Sequence, residues 1–110
     1  MRNDESTLYI RTHLKAIKAI ASPVRLTVLD LLKTPLANFP PQVDGDLVKD
    51  GVCADRIRDR LGLAAATASR HLSLLTECEL LVATRKKGWT FYRRNDAAIA
   101  ALAAALASKL

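Results

Sequence analysis

Most apolar residues of this chain fall at helical spacing. Ile10, Leu14, Ile17 and Ala21 recur at i, i+4, i+7 and i+11, with Tyr9, Ala16 and Ile20 widening the stripe. That pattern predicts an amphipathic helix over residues 6–20. Ser22-Pro23 supplies an N-cap followed by proline at the first helical position. Val24, Val28, Leu29, Leu31 and Leu32 then give a second helix its apolar face through Lys33. Pro35, Pro40 and Pro41 end the pattern, because proline disfavours helical geometry in the residue before it. Residues 34–52 read as a long connection rich in Pro, Gly and Asp, with Phe39 as a candidate anchor to the core.

Beyond this connection Ala54, Ile57 and Leu61 predict a short helix, with Gly62 as a left-handed cap and Leu63 packing back. Ala65, Ala68, Leu72 and Leu75 predict a second helix that turns Ala66, Ser69, Arg70 and Ser73 outward. A short helix, a glycine turn and a helix with small polar and basic residues outward is a helix-turn-helix, placed at about residues 53–77. Two β-prone runs follow, Leu80 to Arg85 and Trp89 to Arg93, joined by a predicted three-residue loop, Lys86-Lys87-Gly88. They form a wing over about residues 80–94. A last helix over residues 95–109 carries Ile99, Leu102 and Leu106 among alanines, a stripe that continues to Leu110. The expected fold is one domain over residues 1–110, mainly α with a small β-hairpin, a winged helix-turn-helix. The helices of residues 6–20 and 95–109 are expected to pair two copies, because a chain this short leaves much apolar area uncovered.

Charge locates the partner. Residues 53–94 hold nine Lys and Arg against four Asp and Glu, within a chain whose formal charge is +6. That excess points to a polyanion, with double-stranded DNA foremost. No apolar run approaches the roughly 18 residues that span a bilayer, and the first residues include Arg2, Asp4 and Glu5, so a cytoplasmic protein without membrane contact is expected. The two cysteines, Cys53 and Cys78, are too few for a disulfide scaffold or a four-thiolate zinc site. There is no glycine-rich phosphate loop or nucleophile elbow, and neither histidine has a carboxylate–nucleophile partner nearby in sequence. Catalysis is therefore not expected.

Several segments, in order, carry a resemblance: Ala19-Ile20-Ala21-Ser22-Pro23-Val24-Arg25-Leu26 and the residues that follow to Leu32, Leu61-Gly62-Leu63, Thr67-Ala68-Ser69-Arg70-His71-Leu72, and Lys87-Gly88-Trp89-Thr90-Phe91-Tyr92-Arg93. In these the chain resembles the ArsR (arsenic-repressor) family of bacterial regulators. The resemblance implies a homodimeric winged-helix repressor that holds a pseudo-palindromic operator and releases it when an inducer, often a metal ion, binds.

Two departures from the family shape the expected site. Ala64-Ala65-Ala66 stands where the family commonly has Ser-Gln-Ser, which removes a helix cap and a base-bonding side chain. Base reading would then rest on Thr67, Ser69, Arg70 and His71, and phosphate contact on Ser73, Arg85, Lys86 and Lys87. For Arg70 the competing role is a phosphate contact, and for His71 local packing or capping. In the family's arsenic and lead sensors a Cys-x-Cys pair opens the first helix of the motif, whereas here Cys53 and Asp55 fall at those positions. One thiolate is missing, so no metal and no cofactor are assigned. Cys53, Asp55 and Cys78 remain candidate sensor residues for an unidentified small-molecule, metal or redox inducer, and the plainer reading makes both cysteines small apolar packing residues. The alternative function is a winged-helix protein-interaction module without specific DNA binding.

Overall fold

A computed structural model of the protein describes the backbone of residues 3–110 and the side chains of residues 12–110. The elements run α1 (Asn3–Ile20), α2 (Pro23–Lys33), α3 (Pro35–Asn38), β1 (Val52–Cys53), α4 (Ala54–Leu61), α5 (Ala65–Glu77), β2 (Leu81–Lys86), β3 (Trp89–Arg94) and α6 (Asp96–Lys109). This is the predicted winged helix-turn-helix, with one strand more than a hairpin. The sheet is antiparallel in the order β1-β3-β2, and β1 joins it through Val52 opposite Tyr92 and Cys53 opposite Phe91.

The helix ends follow their local chemistry. Ser22 Oγ accepts the Arg25 amide at 3.2 Å, and Pro23 opens α2. Gly62 sits at φ 67 and closes α4, with the Leu63 amide donating to the Arg58 carbonyl at 3.2 Å. The end of α5 repeats this geometry without glycine. Glu79 takes φ 65, and the Leu80 amide reaches back to the Leu75 carbonyl at 3.0 Å. Asn95 caps α6 by accepting the Ala98 amide, and its own amide bonds the Leu80 carbonyl, so α6 starts from the base of the wing.

The core is where these elements meet. Val28, Leu31 and Leu32 of α2, Ile57 of α4, and Leu72 and Leu75 of α5 are buried together, with Leu102 of α6 and Ala16 and Ala19 of α1 closing one side. The inward stripe of α1 is rotated from the predicted one. Leu14 is 41% exposed and Ala21 is exposed, while Ala19 is buried, because the small alanines let α1 sit close to its neighbours. Tyr9 and Ile10 lie outside the described side chains.

Two expectations about connections are corrected. The wing turn has two residues, since Lys86 pairs directly with Trp89. Lys87 at φ 52 and Gly88 at φ 80 give it the left-handed pair that matches the twist of a hairpin. Residues 34–52 are not a featureless loop either. They contain α3, a turn in which the Asp50 amide donates to the Asp46 carbonyl at 2.9 Å, and the start of β1. Phe39 and Leu47 are buried, so the expected anchor is joined by a second.

The segment is also bracketed to the sheet. Gln42 Nε2 donates to the Gly51 carbonyl at 2.7 Å, and Gln42 Oε1 accepts the Cys53 amide at 3.1 Å. Gly51, at φ 109, passes so near β3 that a Cβ there would lie 2.4 Å from the Tyr92 carbonyl oxygen. Backbone cannot yield as a side chain could. Gly51→Ala is therefore expected to lower stability by about 2 kcal/mol or more, read by urea denaturation. Gly88→Asn, at an open turn tip, should cost no more than about 0.5 kcal/mol. Equal losses at the two sites would contradict the close approach of β1 and β3.

Candidate nucleic-acid interface

The second helix of the motif, α5, has two opposed faces. Ala68, Leu72 and Leu75 are buried, whereas Thr67, Ser69, Arg70 and Ser73 are exposed. The spacing that drives the apolar residues into the core leaves this polar and basic row on the outside. At its start Ala64 makes no side-chain cap bond, and Ala64, Ala65 and Ala66 are exposed. The first amides of α5 thus lack a side-chain partner, at the positive end of the helix dipole.

The wing follows, its strand β2 packed against α5. Arg85, Lys86, Lys87 and Trp89 are all exposed. Strand alternation places Arg85 with Thr90 and Tyr92 on one face of the ribbon and Lys86 with Trp89 and Phe91 on the other. Arg85 Nη1 donates to Thr90 Oγ1 at 3.3 Å. Lys86 Nζ lies 3.4 Å from Asp50 Oδ2, and Lys87 Nζ lies 3.7 Å from Asp44 Oδ1. The carboxyl of Asp50 is held below its ordinary range, first by the Asp46 amide and then by Lys86. Backbone amides of Lys49 and Val48 do the same for Asp46. Arg94, the last cation of β3, is turned inward instead. Its Nη1 donates to the Leu29 carbonyl and its Nε to Asp96, both at 2.9 Å, so it ties the wing to α2 and α6.

His71 is held from behind. Its Nδ1 lies 2.9 Å from Nη1 of Arg25, and Arg25 Nε donates to the Ala19 carbonyl at 2.6 Å. A guanidinium can only donate, so Nδ1 accepts and the proton of the neutral ring sits on Nε2. Arg25 thereby links the end of α1, the start of α2 and the middle of α5. Nothing in sequence spacing announces this contact, because the partners are 46 positions apart. Trp89 and the two aspartates facing the wing lysines were likewise missed as members of this surface. An aromatic at a wing tip flanked by cations was the available signal for Trp89.

The candidate sensor residues separate. Cys53 is buried, and with Asp55 it lines a cleft of about 180 Å³ bounded by Gln42, Arg56 and Trp89. Cys78 lines a different one with His13 and Glu77, and its Sγ approaches the Leu75 carbonyl at 3.4 Å. Among the described residues no group of three His, Cys, Asp or Glu side chains is placed to hold a metal ion. No helix among them is long and apolar enough to cross a membrane.

No family model matches the sequence. A curated relative does, an uncharacterized HTH-type transcriptional regulator, YbzH of Bacillus subtilis, 36% identical over 90 residues, which are 82% of this chain and 90% of the relative. The chain belongs to the helix-turn-helix-type transcriptional regulators.

Solved structures place this regulator among winged helices. It matches Mb0332 from Mycobacterium bovis, described as a homodimeric winged helix-turn-helix DNA-binding domain and a possible ArsR-family transcriptional regulator, with a TM-score of 0.68 and 22% identity over 99% of this chain and 88% of that one. NolR from Sinorhizobium fredii aligns with a TM-score of 0.64 and 22% identity over 94% of this chain and 89% of its own. The ArsR resemblance drawn from the sequence thus meets a structural neighbour described in the same terms.

The half-buried setting of His71 beside Arg25 makes the regulator's stability depend on pH. Burial, then the charges of Arg25 and Arg70, push the His71 pKa below 6.5. Above about pH 6.5 the ring is neutral in folded and unfolded chains alike. As pH falls below that value the unfolded chain takes up a proton that the folded one resists, so stability declines until the lower folded pKa is passed. Melting temperature should therefore fall as pH drops below about 6.5, and fall less in His71→Gln. Identical pH profiles for the two proteins would contradict the lowered His71 pKa.

Proposed function

We propose that the protein is a homodimeric repressor of the ArsR type, in which α5 of each copy enters the major groove and the wing grips flanking backbone. The supporting observation is one exposed polar and basic row on α5, Thr67, Ser69, Arg70 and Ser73, together with an exposed cationic tip on a wing whose strand β2 packs against that helix. In this reading Arg70 makes a bidentate contact to guanine, with Thr67 and Ser69 on neighbouring base edges. His71 follows them with Nε2, its Nδ1 being engaged by Arg25. Ser73, Arg85, Lys86 and Lys87 hold phosphates, and the uncapped amides at the start of α5 receive another.

Dimerisation through α1 and α6 rests on exposed apolar surface. Ala97, Ala100, Ala104 and Ala107 form an exposed row at i, i+3, i+7 and i+10 along α6. Such small side chains let a second helix approach closely, and two recognition helices would then reach half-sites about 34–36 Å apart. Occlusion of a promoter and release by an inducer follow the family. A redox or small-molecule signal would enter either at Cys53 and Asp55 in one cleft or at Cys78 in another.

The test uses an operator selected from a random-sequence library and an unrelated duplex, with binding followed by fluorescence anisotropy. Arg70→Ala should lose about 1–3 kcal/mol on the operator and little on the other duplex. Lys86→Ala combined with Lys87→Ala should weaken both alike and flatten the salt dependence by up to about 2 in slope. Equal losses for Arg70→Ala would reassign it to phosphate. A wild-type chain that holds no duplex at low salt would favour the protein-interaction module.

A further inference from the structure

The segment between α3 and β1 carries Asp44, Asp46 and Asp50 against one lysine, Lys49, in a chain of formal charge +6. It is held in place by contacts that do not involve the wing lysines. Phe39 and Leu47 are buried, and Gln42 brackets β1. Gly45, at φ +85, lies so close to the ring of Phe91 that a Cβ would meet Cε1 at 2.7 Å. Within the turn, the Asp46 carboxylate accepts the Val48 and Lys49 amides at 2.9 and 2.7 Å. The Asp46 amide in turn donates to Asp50 Oδ2 at 2.7 Å. That same oxygen faces Lys86 at 3.4 Å, while Asp44 faces Lys87 at 3.7 Å. Both lysines of the wing tip therefore meet a fixed carboxylate, and Arg85 lies on the other face of the ribbon.

We propose that this acidic segment is a built-in brake on the wing: Asp44 and Asp50 occupy Lys87 and Lys86 in the free protein and compete with duplex phosphate for them. The inference rests on the DNA reading above and concerns the regulation of that same surface. Lys86 and Lys87 are exposed, while Asp44 and Asp50 are half-buried. Ion pairs whose lysine stays in solvent are weak enough to exchange, whereas duplex DNA offers about one charge per 1.7 Å along its axis. When the lysines leave, the carboxylates stay where the packing of Gly45 and Gln42 holds them, and they repel the incoming backbone. Only phosphate contacts are involved, so every duplex is affected alike.

Asp44→Asn combined with Asp50→Asn tests this, because the side-chain carbonyl oxygen that replaces the Asp50 carboxylate can still accept the Asp46 amide. Affinity for a random duplex at 50 mM salt should rise about twofold to thirtyfold, the range set by two weak ion pairs. The gain should shrink at about 200 mM salt. Asp44→Asn alone, which leaves the Asp46–Asp50 turn untouched, should show part of the same rise. In a Lys86→Ala, Lys87→Ala background the aspartate changes should gain little. Unchanged or weaker binding by the folded single and double aspartate variants would overturn the brake and make the contact a brace. A full gain without the lysines would overturn the pairing. Failure of the wild type and all variants to hold any duplex would overturn the DNA reading, and the brake with it.

Discussion

The outward row of α5 exists because the opposite face of that helix is buried. Ala68, Leu72 and Leu75 leave almost no surface to solvent, packed where α2, α4 and the base of the wing converge. Fully burying a leucine side chain contributes about 1.5–3 kcal/mol, so these contacts fix the rotation of the helix about its axis. Rotation decides function here. Turning α5 by one residue, about 100°, would carry Arg70 and Ser73 out of the outward row and bring polar side chains against the core. The Arg25–His71 contact acts in the same sense, since it ties α5 to the junction of α1 and α2 through a single guanidinium.

The wing is set by a second, mostly polar, group of restraints. Arg94 binds it to α2, Asn95 binds its base to α6, and β1 extends its sheet on the side away from β2. The segment before β1 then lays an acidic turn against the lysine-bearing face. The result is a tip whose backbone is held firmly while its charged ends stay exchangeable. Such a division suits a surface that must meet a flexible polyanion without being rebuilt.

Much of this was legible in the sequence because it depends on local rules. Ser22-Pro23, Gly62 and the spacing of Leu72 and Leu75 each state their own geometry, and together they place the helix-turn-helix. The outward row Ala66, Ser69, Arg70 and Ser73 followed from the same spacing. What was not legible depends on contacts between distant segments. The strand at Val52-Cys53 is two residues long and forms only because β3 offers an open edge. The role of Asp44 and Asp50 depends on a loop path fixed by Phe39, Leu47 and two glycine approaches. The wing turn was read one residue too long because a lysine at positive φ is uncommon, and Gly88 alone drew attention.

In the proposed assembly the outward row of α5 and the wing tip together meet the duplex, while the alanine face of α6 meets a second copy. Amide chemical-shift mapping of the labelled protein during titration with its selected operator tests this most directly. The account predicts shifts concentrated at residues 64–73 and 85–89, saturating at two chains per duplex, with α6 little changed beyond its state in the free dimer. Shifts centred on α6 or α1, with α5 and the wing unperturbed, would contradict it.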